Sequence, residues 1–261
     1  MSHLTARLVL ISDKDRVGYM LFLYHEIDIL LSNKEPIRMS TLFNYTDFIQ
    51  LTKKGKVNYK KLILPKNTFI ANTPEHPSDF VYLIVEGFVI SSLVQNPSDV
   101  YTICSKGALL NYFTLLDTEI QPFTFKTASK CVIYKYAIED LEYTLAMFPE
   151  NYRFQFFIMK NLATHLYYKT LLNSCACIDK IKISFYNIAK LHGIPFEADK
   201  VIIPKGIQTH KILSYSGLSR SASYKQLSLL KESGEISKMN DQWVIHDQSL
   251  HDFCHKRVDL E

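Results

Sequence analysis

The stretch that decides the reading is Gly217-Leu218-Ser219-Arg220-Ser221-Ala222-Ser223-Tyr224-Lys225-Gln226-Leu227-Ser228-Leu229-Leu230-Lys231. It reads as a helix with a built start. Gly217 suits the tight turn ahead of it, because glycine tolerates backbone angles that side chains oppose. Ser219 is a good N-cap, since its hydroxyl can satisfy a free backbone N–H of the first turn. Leu218, just before the cap, can staple onto the apolar side. Ala222, Leu227 and Leu230 fall on or near one face, with Leu229 beside them. Arg220, Ser221, Tyr224 and Lys225 fall on the other. A helix that gathers Arg, Lys, Ser and Tyr near its positive end can lie in a DNA major groove, with Arg reading guanine edges and the hydroxyls and Lys holding phosphates. Taken alone, the helix equally fits an ordinary surface helix ahead of a hairpin.

The flanks favour DNA. Gln208-Thr209-His210-Lys211-Ile212-Leu213-Ser214-Tyr215 spans about two turns, and Ser216-Gly217 separates it from the second helix. Two short helices joined by a glycine turn make a helix-turn-helix. After Ser233-Gly234, the runs Glu235-Ile236-Ser237-Lys238 and Gln242-Trp243-Val244-Ile245 read as two strands around Met239-Asn240-Asp241, a hairpin wing.

On these residues the segment Ile207 to Ile236 resembles the winged helix-turn-helix of the Crp/Fnr transcription regulators. Their pattern is a Gly, one residue, then Ser-Arg opening the recognition helix, and a basic residue five positions after that Arg. Gly217, Ser219, Arg220 and Lys225 match it. The resemblance implies that Arg220 contacts a base. It implies that Ser219, Ser221 and Lys225 contact bases or backbone, and that His210 sits near phosphate at the start of the first helix. Two departures stand out. Ser221 replaces the Glu that often follows the Arg, which would change base preference. Ser223 and Gln226 occupy positions that are usually apolar.

The chain has 261 residues, 47% apolar and 21% charged, enough for two domains with substantial cores. The net charge of +4 is mild, but it is unevenly spread. Between Lys205 and Lys238, six basic residues (205, 211, 220, 225, 231 and 238) face only Glu232 and Glu235. Such an excess suits phosphate contact, although windows of this size also acquire it by chance. Val17 to Leu31 is apolar-rich but carries His25, Glu26 and Asp28, so it does not read as a membrane span or secretory signal. Five cysteines (104, 131, 175, 177 and 254) form no paired framework and fit a reducing cytosol, hence a cytoplasmic protein. Heavy use of Lys, Ile, Tyr and Phe against a single Trp fits an AT-rich bacterial genome.

Along the chain, residues 1–38 are the least legible. Asp13-Lys14-Asp15 could cap a helix to about Leu31, broken by Asn33-Lys34-Glu35-Pro36. Two alternatives stand: a helical extension unusual for the resembled family, or a native start at Met39. Thr41 to Lys53 reads as an amphipathic helix ended by Gly55. From Val57 to Tyr136 short strands follow at close spacing: Lys61–Leu64, Thr68–Ile70, Phe80–Glu86, Phe88–Leu93, Val100–Ser105 and Cys131–Tyr136. Turns at 65–67, 75–78, 86–87 and 96–98 punctuate them, the pattern of a sandwich or small barrel.

This region, 39–148, resembles the cyclic-nucleotide-binding domain of the same family. Phe80-Val81-Tyr82-Leu83-Ile84-Val85-Glu86-Gly87-Phe88-Val89 is similar to its strand, glycine turn and following strand. The resemblance therefore implies an α+β chain: a cyclic-nucleotide-binding-like β-barrel of jelly-roll type, a dimerisation helix and a winged helix-turn-helix. The phosphate-binding cassette would fall at Gly107 to Thr118. It requires a Gly-Glu pair for the ribose and an Arg for the cyclic phosphate, and neither occurs from Gly107 to Phe123. A phosphate buried beside Leu110 and Phe123 would be unpaired and costly. No cAMP binding and no other cofactor is expected. In lacking those residues the chain is similar to the PrfA-like branch of low-GC Gram-positive bacteria.

Ile138 to Ala146 reads as a short helix. Pro149-Glu150-Asn151 then opens a long one to about Asn173, with Pro in a tolerated first-turn position. Its apolar band, which includes Met159, Leu162 and Leu166, is wider than one covering role needs. Such a helix can cover its own domain and pair with a second copy, and the resemblance implies the same for 149–174. A buried intramolecular helix is the competing reading. In the C-terminal part, 175–261, Ile178 to Leu191 reads as a helix and Lys200–Ile203 as a strand. Cys175 and Cys177 are a weak metal pattern, and the N-terminal cysteines of the family's iron–sulfur members are absent, so no metal is expected. No nucleophile–base constellation can be drawn, and the chain reads as a non-enzyme. The expected partners are double-stranded DNA, a second copy and RNA polymerase, with no membrane, in the manner of a Crp/Fnr-type activator. The alternative is an effector-sensing regulator whose winged helix meets protein instead of DNA.

Overall fold

The computed structural model describes residues 49–258, except 51, 56, 72–78, 113–121, 148–151 and 198. The expected extension 1–38, most of the Thr41–Lys53 helix, the later cassette and the Pro149 helix start lie outside the described residues. Of the Thr41–Lys53 helix, residues 49, 50, 52 and 53 are seen and are helical. Thr52 hydrogen-bonds the Tyr136 hydroxyl at 3.0 Å and so fixes this segment to the sheet domain.

Eight strands follow: β1 (Lys60–Leu64), β2 (Phe69–Ala71), β3 (Phe80–Glu86), β4 (Val89–Leu93), β5 (Thr102–Cys104), β6 (Leu109–Leu110), β7 (Phe123–Thr127) and β8 (Cys131–Ala137). They divide into two four-stranded antiparallel sheets, ordered β1-β8-β3-β6 and β2-β7-β4-β5. This is the jelly-roll arrangement. No pairing among the described residues joins the two sheets into a closed barrel. β6 and β7 are not among the strands expected from sequence, because both lie in or beside the stretch assigned to the cassette.

β3 shows why these residues form this layer. Tyr82 and Ile84 point between the sheets with Val89, Phe125 and Ile133. Val81 and Leu83 point the other way, into a second core with Tyr136 and Leu141. A strand buried on both faces needs a continuous apolar run instead of strict alternation. Gly87 turns β3 into β4 at φ +95°, a conformation that side chains resist. A Cβ there would also lie 2.5 Å from the Lys130 carbonyl oxygen.

Six helices complete the described chain: α1 (Ile138–Met147), α2 (Tyr152–Ser174), α3 (Lys180–His192), α4 (Thr209–Tyr215), α5 (Arg220–Glu232) and α6 (Gln248–Val258). Strands β9 (Ile194–Phe196), β10 (Lys200–Ile202), β11 (Ile236–Met239) and β12 (Gln242–His246) form a third sheet, ordered β11-β12-β10-β9. α6 and β9 are likewise not expected from sequence. The described residues all belong to one compact unit. Its largest core runs through Leu172 of α2, Phe185 of α3, Leu213, Leu227 and Trp243, and takes in Ile90, Val100, Ile103 and Ala128 of the sheet domain.

Candidate nucleic-acid interface and the cavity beside the long helix

Ser216 builds the turn between α4 and α5. Its hydroxyl donates to the Leu213 carbonyl at 2.6 Å and accepts the Leu218 N–H at 3.1 Å. Gly217 follows at φ +70°. Ser219 then caps α5, accepting the Ala222 N–H at a long 3.4 Å. Leu218 packs against the large core as the staple position requires.

α5 is two-faced in the expected sense. Ser219, Arg220, Ser221, Tyr224 and Lys225 are all exposed, while Leu227 is buried and Ala222 and Leu230 are half-buried. Arg220 lies 5.9 Å from the Tyr224 ring centre, so a guanidinium and an aromatic side chain stand together on the open face. No acidic residue occupies the first turn. The two polar residues at usually apolar positions behave differently from each other. Gln226 accepts the Ile181 N–H at 3.3 Å and donates to the Cys177 carbonyl at 2.6 Å. It thereby satisfies one of the free backbone donors at the start of α3. Ser223 is buried and its hydroxyl finds no partner among the described residues.

His210 is exposed on α4. Partial burial, then the charges of Lys211 and Lys66, lower its pKa. The wing is a two-residue hairpin: Met239 pairs with Gln242, and Asn240 and Asp241 sit at φ 51° and 63°. Both central residues being left-handed is the turn whose twist matches flanking strands, and Asn and Asp tolerate it. Lys231 and Lys238 each stand 5.2 Å from the Trp243 ring centre. The indole N–H donates to Thr209 at 3.0 Å, tying the wing to the start of α4.

On α2, Met159 and Leu166 are 57% and 54% exposed. Ala163, Thr170 and Asn173 are exposed too, whereas Tyr168 and Leu172 are buried. Positions 159, 163, 166, 170 and 173 alternate by four and three, the spacing of a coiled-coil seam. Leu162 is half-buried and instead lines a cavity between α2 and the β4–β5 sheet.

That cavity is about 50 Å³ and is bordered by Tyr101, Thr102, Tyr112, Phe123, Phe125, Leu162 and His165 among others. None of its described lining residues carries a permanent charge. His165 bonds the Thr102 hydroxyl at 2.7 Å, and burial lowers its pKa to about 4, so the ring is neutral at pH 7. Burial also pushes the Cys104 thiol up to about 12 and raises Tyr112 and Tyr101. Sequence reasoning passed over His165, because one histidine on a long helix carries no pattern of its own. Among the described residues no group of His, Cys, Asp or Glu is placed to hold a metal ion, and no helix is long and apolar enough to cross a membrane.

Several side chains join the sheet domain to the winged unit, among them Ser214 of α4, whose hydroxyl accepts the Val100 N–H at 3.3 Å. His192 of α3 donates from Nε2 to the Ile103 carbonyl at 2.8 Å, with Nδ1 3.1 Å from the Ser105 hydroxyl. A carbonyl can only accept, which assigns the proton to Nε2. Lys169 of α2 donates to the carbonyls of Val100 and Tyr215 at 3.1 and 2.8 Å. Its burial outweighs the pull of Asp99 and lowers its pKa to about 8. Phe88 packs so closely on Gly206 that a Cβ there would sit 2.4 Å from the ring.

No family model matches the sequence, and no curated protein matches it. Solved structures do resemble it. A cyclic nucleotide-binding domain containing protein from Listeria monocytogenes EGD-e superposes with a TM-score of 0.63 at 16% identity, over 79% of this chain and 99% of that one. FixK2 from Bradyrhizobium japonicum gives 0.59 at 14% identity, over 76% and 98%. The c-di-GMP responsive global regulator CLP from Xanthomonas campestris gives 0.59 at 15%, over 74% and 97%. At these identities the likeness is one of fold.

Proposed function

We propose that the protein is a homodimeric, sequence-specific DNA-binding transcription regulator of the Crp/Fnr type, an activator working through RNA polymerase and not responsive to cAMP. The observation that carries the reading is α5: a capped helix whose buried side is anchored in the core and whose open side presents Ser219, Arg220, Ser221, Tyr224 and Lys225 together. An arginine in the first turn can donate a bidentate pair to guanine, and hydroxyls and Lys suit phosphate. His210 on α4 lies where the first helix of such a unit crosses the backbone. Pairing through α2 would present two α5 helices to half-sites about one DNA turn, roughly 34 Å, apart. The lack of permanent charge among the cavity's described lining residues supports cAMP independence, since a buried cyclic phosphate would find no cation among them.

The test is selection of bound sites from random duplex DNA, followed by titration of wild type and Arg220→Ala on the selected site and on random sequence. The variant should lose about 1–3 kcal/mol on the selected site and relax preference at one base pair. Equal loss on both DNAs would remove Arg220 from base reading. Binding that ignores salt would favour a protein partner, because phosphate contact weakens steeply as salt rises.

A further inference from the structure

A short stretch of the sheet domain, 100–102, touches both the cavity and the first helix of the winged unit. Tyr101 and Thr102 border the cavity. Their neighbour Val100 borders α4. Its N–H donates to the Ser214 hydroxyl at 3.3 Å, and that hydroxyl donates to the Ser98 carbonyl at 3.4 Å. α2 holds the stretch at both ends. His165 Nδ1 lies 2.7 Å from the Thr102 hydroxyl. One turn further along α2, Lys169 donates to the Val100 carbonyl at 3.1 Å. The spacings match, because one helical turn and a two-residue step of extended chain are both about 6 Å. The same ammonium donates to the Tyr215 carbonyl at 2.8 Å and lies 4.5 Å from the Tyr215 ring centre. Tyr215 is the last residue of α4, and the final carbonyls of a helix have no partner inside it. A side chain of α2 therefore supplies the end of α4 with a donor.

An extended run this short has little slack, and buried bonds of this kind are costly to leave unmade. Tyr101 is held from the other side as well, its N–H donating to the Ser91 carbonyl at 2.9 Å. A change in the cavity wall at Thr102 or His165 therefore draws on Val100, and Val100 is bonded to α4. We propose that the stretch 100–102, clamped by His165 and Lys169, is a coupling segment that passes the state of the cavity wall to α4 and so sets how α5 meets DNA. Lys169 and Ser214 are positioning residues in this device, and neither has to touch DNA. The route lies within one protomer and leaves aside the seam that carries Met159 and Leu166. Its consequence for DNA rests on the DNA-binding reading above, while the coupling of cavity wall to α4 can be measured without DNA.

Trp243 supplies that measurement. It is the single tryptophan, it is buried, and its indole N–H donates to Thr209, the first residue of α4. The experiment uses the full chain and reads the Trp243 indole resonance and emission alongside affinity for the selected site. Thr102→Val keeps the side-chain shape and removes the hydroxyl beside His165. It should shift the Trp243 signal and weaken binding to the selected site roughly fivefold, the scale of one hydrogen bond. In a Ser214→Ala or Lys169→Met background the link is already cut, so the same substitution should add less than about twofold. Ser214→Ala carries the test alone if Lys169→Met does not fold. The Trp243 shift should persist in a Met159→Glu/Leu166→Glu chain, since the route does not cross the seam. An unmoved Trp243 signal in Thr102→Val overturns the inference, and so does a full fivefold effect in every background. Coupled Trp243 shifts in a protein that binds no DNA would keep the segment and remove the DNA-binding reading.

Discussion

Replacing Met159 and Leu166 with Glu should separate the protein into monomers without unfolding it. Both side chains are a little over half exposed in the single chain, so roughly half of each remains to be buried against a partner. Full burial of such a side chain is worth about 1.5–3 kcal/mol, so half is about 1 kcal/mol each. Two-fold pairing counts each residue twice, giving about 4 kcal/mol, or roughly a thousandfold in the dimer dissociation constant. Four carboxylates facing an apolar seam add to that. The protomer itself should lose little, because surface changes of this kind usually stay within about 0.5 kcal/mol. Leu162→Glu is a poorer probe, since it puts a carboxylate beside the cavity that Leu162 lines with Phe123 and His165, and would damage the fold directly. Sedimentation velocity reads the outcome, with thermal melting as the control and operator titration as the consequence. A double variant that still sediments as a dimer at micromolar concentration, with an unchanged melt, refutes α2 as the seam.

Further expectations concern the sheet domain. Gly87→Ala adds a methyl 2.5 Å from the Lys130 carbonyl oxygen at φ +95°, and should cost on the order of 3 kcal/mol in denaturant unfolding. His165 should make the fold acid-sensitive. Its folded pKa of about 4 lies below the ordinary 6.5, so its full contribution is present above pH 6.5 and is lost as pH falls toward 4. Between pH 7 and pH 5 wild type should lose about 2 kcal/mol from this group, and His165→Gln should abolish that slope. An unchanged slope in the variant would sink the assignment. Calorimetry with cAMP should show no micromolar binding, and operator affinity should be the same with and without it; a requirement for cAMP would reverse the reading of the cassette.

Much of this architecture is legible in the sequence because its local signals are strong. Phe80–Glu86 has the same bounds in both, since a seven-residue apolar run ending at a glycine turn leaves few alternatives. The Ser219 start of α5 and the Asn240-Asp241 wing turn are readable for the same reason: each rests on a residue type that a specific backbone conformation selects. β6 and β7 are not, because their stretch invites a reading for ligand chemistry instead of period. Pro195 hides β9 at the edge of its sheet, where a missing N–H is tolerated. The pairing of Gln226 with the start of α3 is invisible for a deeper reason. Its partners, Cys177 and Ile181, lie 49 and 45 residues away, and only tertiary packing turns an amide on an apolar face into a cap.

The same long-range contacts bear on how such a molecule is switched. A ligand shifts a conformational equilibrium only by its difference in affinity for the two states. The cavity beside α2 is about 50 Å³ and lacks permanent charge among its described residues, which leaves a nucleotide little to grip. Meanwhile His192 holds the Ile103 carbonyl, Lys169 bridges Val100 and Tyr215, and Phe88 rests on Gly206. Each ties the sheet domain to the winged unit, and each uses a buried polar group or a close approach that is costly to leave unmade. These contacts hold α4 and α5 in their orientation relative to the sheets. Substitutions that break one of these ties should therefore shift how α4 and α5 sit against the sheets.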